Sequence, residues 1–175
     1  MADTLGIGCR CGQVRLSVSG APIISAECFC DSCQEGAKRM ARLPGAPEVT
    51  TEAGGTPYVL YRKDRVAFVQ GAELIRAFRL SPERQTQRYV ASCCNTPLFV
   101  EFKGGHWLSL YAGLWGEADR PAMEIRTQTG EVRLDDALPA GRWATARFYG
   151  RLLRAWAAMR FRTPAMPAIG PELKV

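Results

Sequence analysis

Val14, Leu16 and Val18 alternate with Arg15, Ser17 and Ser19, the two-residue period of a strand with one buried face. Further segments rich in Val, Tyr, Phe and Leu follow at 58–61, 66–70, 74–80, 87–91 and 98–102, and residues 107–114 read as another strand. Turn residues separate them: Gly54-Gly55, Gly71, Ser81-Pro82, Asn95-Thr96-Pro97 and Gly104-Gly105. Seven or so short strands without interleaved long helices predict a mainly β domain of antiparallel strands. The period changes after residue 137. Tyr149, Leu152, Leu153 and Trp156 follow the i, i+3, i+4, i+7 spacing of an amphipathic helix, with Arg147, Arg151 and Arg154 on another face. The spacing thus predicts a β domain over 1–137, then a basic C-terminal α-helix and a Pro-rich tail, extended or mobile, over 138–175.

Composition changes this picture in three places. The 175 residues carry 23 Lys plus Arg against 17 Asp plus Glu, and 23 − 17 = +6. Residues 142–162 hold six Arg and no acid, which matches the whole net charge. The longest uncharged run, 104–116, falls short of the roughly 20 apolar residues of a spanning helix, so no transmembrane segment is expected. A single His leaves almost no material for a Ser-His-Asp triad or a His-rich metal site. Met1-Ala2-Asp3-Thr4 shows no secretory pattern, so a reducing, cytoplasmic compartment is expected.

Seven cysteines, an odd number, cluster at 9, 11, 28, 30, 33, 93 and 94. That clustering suits metal chelation better than a disulfide framework, and closely spaced thiolates favour zinc. Cys9-x-Cys11 is a compact pair opening a strand. Cys28-x-Cys30-x-x-Cys33 offers three thiolates within six residues, and Cys93-Cys94 precedes a turn. Two closed tetrahedral sites would need eight thiolates, so one position is open or one site is absent. In one partition Cys9, Cys11, Cys93 and Cys94 surround a structural ion, leaving Cys28, Cys30 and Cys33 with an open, catalytic position. In the other, Cys93 closes the middle cluster and Cys9, Cys11 and Cys94 form an incomplete site. One or two Zn2+ per chain are expected.

The succession Cys9-x-Cys11-Gly12-x-Val14, Cys28-x-Cys30-x-x-Cys33-Gln34 and Arg88-Tyr89, leading to Cys94-x-Thr96-Pro97-Leu98-Phe99, resembles the family of glutathione-dependent formaldehyde-activating enzymes and centromere protein V. The likeness covers about residues 6–102. It implies a β-tent fold, a structural zinc to which Cys9, Cys11 and Cys94 correspond, and a second, catalytic zinc to which Cys28, Cys30 and Cys33 correspond. It also implies a carbon-sulfur lyase-like activity on a thiol adduct, in which glutathione enters the open zinc position as a thiolate and attacks formaldehyde to give S-(hydroxymethyl)glutathione. The chain departs from that pattern at Phe29, at Ala91 where the family's late pair has its first cysteine, at Cys93 inside that pair, and at Asn95.

Other residues carry weaker signals. Asp31 and Glu35 beside Cys33 are read as solvated acids on a short helix rather than proton shuttles. Lys38, Arg39 and Arg42 suit a substrate carboxylate, though a solvated basic turn is the simpler reading. His106 is read as a surface or hydrogen-bonded core residue. Gly6-x-Gly8 runs into a chelating pair without a following helix, so a dinucleotide fingerprint is rejected. Asp135-Asp136 is read as a solvated loop pair, and a Cys93–Cys94 disulfide as weaker than zinc ligation. An alternative function makes the domain a non-enzymatic scaffold whose Arg-rich helix binds an anionic partner, nucleic acid or lipid. The preferred reading packs the apolar stripe on the β domain or a second subunit and leaves the arginines in solvent.

Overall fold

The computed structural model describes residues 4–130, 132, 138–167 and 170–173. The 137/138 boundary and Asp135-Asp136 lie outside the described residues. Described residues form ten strands and two α-helices: β1 (Thr4–Gly8), β2 (Arg15–Ser19), β3 (Ile24–Cys28), α1 (Asp31–Met40), β4 (Thr56–Arg62), β5 (Val66–Gln70), β6 (Ile75–Phe78), β7 (Thr86–Ala91), β8 (Thr96–Phe102), β9 (Trp107–Tyr111), β10 (Ile125–Thr127) and α2 (Gly141–Ala158). No helix among them is long and apolar enough to cross a membrane.

The strands build two sheets, one of three strands in the order β1-β2-β5 and one of seven in the order β10-β3-β4-β9-β8-β7-β6. Side-chain alternation in the large sheet creates two cores. Val59, Tyr61, Leu108 and Leu110 pack toward the small sheet with Val14, Leu16 and Val18. Tyr58, Leu60, Val90 and Val100 point the other way, where Met40 of α1 and Ala144 and Leu152 of α2 cover them. The large sheet is therefore the middle layer.

The expected mainly β architecture with a long C-terminal helix is present, with one change of direction: β10 joins β3 in parallel, with Arg126 opposite Glu27. Arg126 Nε donates to Glu27 Oε2 at 2.7 Å in a buried pair, and the Thr51 hydroxyl donates to Glu27 Oε1. A three-residue edge strand has few ladder bonds of its own, so this ion pair helps hold it in register. The tail is extended: Leu173 N–H donates to Ala77 O at 2.8 Å along β6, covering the free edge of the large sheet.

The helix faces differ from the expected ones. Leu152 is buried, and Ala144 and Phe148 pack with it, a stripe of spacing i, i+4, i+8. Tyr149 and Leu153, expected inside, are exposed. Arg147 is exposed as expected and lies 3.6 Å from Glu124, whereas Arg151, also expected in solvent, is half-buried, 2.7 Å from Glu124, and donates to Ile23 O. A helix beside a twisted sheet presents the face its neighbours dictate, and Glu124, just before β10, draws Arg151 inward.

Candidate metal centre

Cys9 follows β1, and its Sγ accepts a hydrogen bond from Val14 N–H at 3.2 Å. Gly12 takes a positive φ of 78° in the turn that brings Cys11 back over it, a conformation glycine adopts without strain. From the other side, the β7–β8 turn delivers Cys93 and Cys94, and Asn95 takes a φ of 55° there while its side chain donates to Pro44 O. The sulfurs of Cys9, Cys11, Cys93 and Cys94 lie within 4.8 Å of one another. Individual separations are 3.5 Å for Cys9–Cys11, 3.7 Å for Cys9–Cys93, 3.3 Å for Cys11–Cys93 and 3.9 Å for Cys93–Cys94. Burial would raise the Cys94 thiol, but hydrogen bonds from the Thr96 hydroxyl and from the Cys11 and Thr96 N–H groups bring it down to about 6. Burial and the neighbouring thiols push Cys93 up.

The second group arises from a strand running into a helix. Cys28 ends β3, Cys30 is the extended residue that caps α1, and Cys33 lies in its first turn. Alternation puts Cys28 and Cys30 on one side and buries Phe29 on the other. Cys33 N–H donates to Cys30 O at 2.9 Å, closing the turn that brings the third sulfur round. The three sulfurs lie within 4.8 Å of one another. Hydrogen bonds from the Cys28 and Cys33 thiols, then from the N–H groups of Cys33 and Ser32, hold Cys30 far below an ordinary thiol. Hydrogen bonds to the Cys28 and Cys30 sulfurs, with burial, raise Cys33. The start of α1 thus stabilises negative charge on sulfur.

The three cysteines face a cavity of about 410 Å³. Tyr58, Leu60, Val100 and Trp107 form its apolar walls, Arg84 stands at its side, and Phe148 and Tyr149 of α2 complete it. The Tyr58 hydroxyl donates to Cys33 Sγ at 3.6 Å. Arg88, only 1% exposed, also lines the cavity, and its Nη2 donates to the carbonyl and hydroxyl of Ser32 between the cysteines. Its Nε and Nη1 have no partner among the described residues. Gly36 lies against this guanidinium, where a Cβ would overlap it.

Arg88, Ser32, Tyr58 and the α2 residues are absent from the sequence-derived site. The available signal is Arg88 itself, a charge at a core-facing position beside Val90. Elsewhere, His106 stands apart from both thiol groups, buried, with Nε2 bonded to Leu152 O at 2.9 Å and its ring stacked on Trp156. Glu35 pairs with Arg39 along the surface of α1, and Asp31 is exposed.

The model of a family of unknown function, DUF6151, matches residues 1–115. The chain belongs to the DUF6151 family. All seven cysteines fall inside the DUF6151 match, whereas β10 and α2 lie beyond it. No curated protein matches the chain. Among solved structures, the crystal structure of a Rhodobacter sphaeroides protein, a Northeast Structural Genomics target, is 12% identical, with a TM-score of 0.47. The alignment covers 68% of this chain and 97% of that one.

Proposed function

We propose that this DUF6151 member is a zinc-dependent, carbon-sulfur lyase-like protein of β-tent type acting on a thiol adduct. The resemblance to glutathione-dependent formaldehyde-activating enzymes suggests S-(hydroxymethyl)glutathione as that adduct. The observation that carries the reading is the division of the thiols, four gathered on one another and three facing a cavity. The donors fit the ion: tetrahedral zinc at about 2.3 Å from each sulfur sets neighbouring sulfurs about 3.8 Å apart. Sulfur separations of 3.3–3.9 Å within the four-thiol group lie near that value. Cys9, Cys11, Cys93 and Cys94 would hold a structural ion, and Cys28, Cys30 and Cys33 one with a free fourth position.

Zinc at the three-thiol group would lower the pKa of an incoming thiol, so that it reacts as a thiolate. In the direction of adduct formation, the substrate sulfur forms a bond to the aldehyde carbon. The C=O π pair moves to oxygen, which takes up the proton the thiol gave. Lysis is the reverse. The chain's own groups prepare this chemistry. N–H groups at the start of α1 hold negative charge on sulfur, Tyr58 orients Cys33, and Leu60, Val100 and Trp107 keep water from the reacting carbon. Arg84 offers a cation to a substrate carboxylate.

The test is exchange spectroscopy on glutathione and isotopically labelled formaldehyde, with the zinc-loaded chain added. Faster interconversion that disappears in Cys30→Ser is the expected result. A two-zinc protein that neither binds glutathione nor alters the exchange rate would overturn the reading.

A further inference from the structure

The outer face of α2 is apolar as well as basic. Trp143, Ala146, Gly150, Leu153 and Ala157 recur at i, i+3, i+7, i+10 and i+14, the spacing of one helical face. This face points away from the sheet: Trp143 is 88% exposed and Leu153 59%. Tyr149 borders it, and Phe161 extends it beyond the helix end, both exposed. Phe161 is held there in a left-handed backbone with a φ of 58°, its N–H donating to Trp156 O and its ring against Trp156. Around the apolar strip stand Arg142, Arg154, Arg160 and Arg162, all exposed and without an ion pair among the described residues. No acidic residue occurs between positions 137 and 171.

We propose that this face docks on an anionic lipid bilayer, with α2 lying in the plane of the interface. The 18 residues of α2 give a helix about 27 Å long, enough to lay Trp143 and Leu153 among headgroups while the arginines meet lipid phosphates. The inner face of α2 is already occupied by the sheet, so the docking helix needs no refolding. Charge complementarity decides between occupants. A second copy related by a twofold axis would bring this basic face against itself with no carboxylate to pair with. A nucleic acid would satisfy the arginines but leave Leu153 without a stacking partner. Only a bilayer offers both phosphate and hydrocarbon to one face. This proposal is independent of the thiol chemistry.

The experiment is co-sedimentation of the full chain with vesicles of phosphatidylcholine alone or mixed with phosphatidylglycerol. Retention is expected only on the anionic vesicles, weakened by high salt. Trp143→Ser with Leu153→Ser should abolish it without changing the melting temperature, because both side chains are exposed. Arg154→Gln alone should lower the partition constant about fivefold. Failure to bind anionic vesicles overturns the proposal. So does retention that the double variant leaves unchanged. Two parallel measurements name the replacement should it fail: dimerisation lost in Leu153→Ser marks a subunit interface, and capture of a labelled oligonucleotide marks a nucleic-acid surface.

Discussion

Arg88 Nη2 donates to both the carbonyl and the hydroxyl of Ser32, at 2.5 and 2.9 Å. The contact ties β7, which runs into Cys93 and Cys94, to the helix turn that holds Cys30 and Cys33. A buried guanidinium with two unpartnered donors is costly without a nearby negative charge. Under the proposed function, three thiolates around a divalent ion would supply one, since +2 − 3 = −1. Arg88→Met is therefore expected to weaken zinc binding at Cys28, Cys30 and Cys33 by about 10-fold to 100-fold, read by competition with a chromophoric chelator. Ser32→Ala should do less, because the carbonyl still holds Arg88. Equal zinc affinity in Arg88→Met and the parent chain would remove the countercharge role.

The two thiol groups should differ in what their loss does. Cys9, Cys11, Cys93 and Cys94 join the end of β1 to the β7–β8 turn across more than 80 residues of sequence, so an ion there closes a long loop. Cys28, Cys30 and Cys33 belong to one local turn. Cys93→Ser is expected to lose one zinc by native mass spectrometry and to melt well below the parent chain. Cys30→Ser should lose the other and melt within a few degrees of it. The opposite ranking would exchange the structural and open assignments.

Leu152 and Leu153 are neighbours with opposite expected outcomes. Leu152 is 4% exposed beneath α2 and Leu153 faces outward. Leu152→Ala should cost about 2–5 kcal/mol through the cavity it leaves, whereas Leu153→Ala should stay within about 0.5 kcal/mol. Urea unfolding of the two variants measures both. Similar losses would mean that the buried face of α2 is the one the bare i, i+3, i+4, i+7 pattern predicts.

That pair also shows how far the sequence can be read. Alternation in Val14, Leu16 and Val18 marks β2, and spacing marks the Cys28-Cys30-Cys33 group and the Cys9-Cys11 pair, because each signal is local. Thr4–Gly8 and Ile24–Cys28 carry no such signal, although both are strands. Gly6 and Gly8 dilute the first, and Ile24–Cys28, buried on both sides except at its end, has no alternation to show. The partition of Cys93 stays open in the sequence because both groupings satisfy the ligand arithmetic. The approach of the β7–β8 turn to Cys9 and Cys11 places the Cys93 sulfur with theirs. Helix α2 offers two apolar faces, and which one packs depends on Glu124 and the sheet, information lying outside the helix.

His106 supplies the pH dependence. Its Nε2 bonds Leu152 O, and its ring lies between Trp107 and Trp156, so it fastens α2 to the β8–β9 turn. Burial lowers its pKa below the ordinary 6.5, and nearby Arg62 and Lys63 add to that, against the raising effect of the Leu152 carbonyl. The unfolded chain then binds more protons than the folded one below about pH 6.5, so stability is fully present above that value and is lost as pH falls toward the depressed pKa. Acidification should therefore loosen α2 first, seen as faster amide exchange over 144–156 and a red shift in tryptophan emission. His106→Asn, which keeps a donor but cannot titrate, should flatten the profile while melting somewhat lower at neutral pH. An acid transition of unchanged shape in His106→Asn would remove the imidazole as its cause.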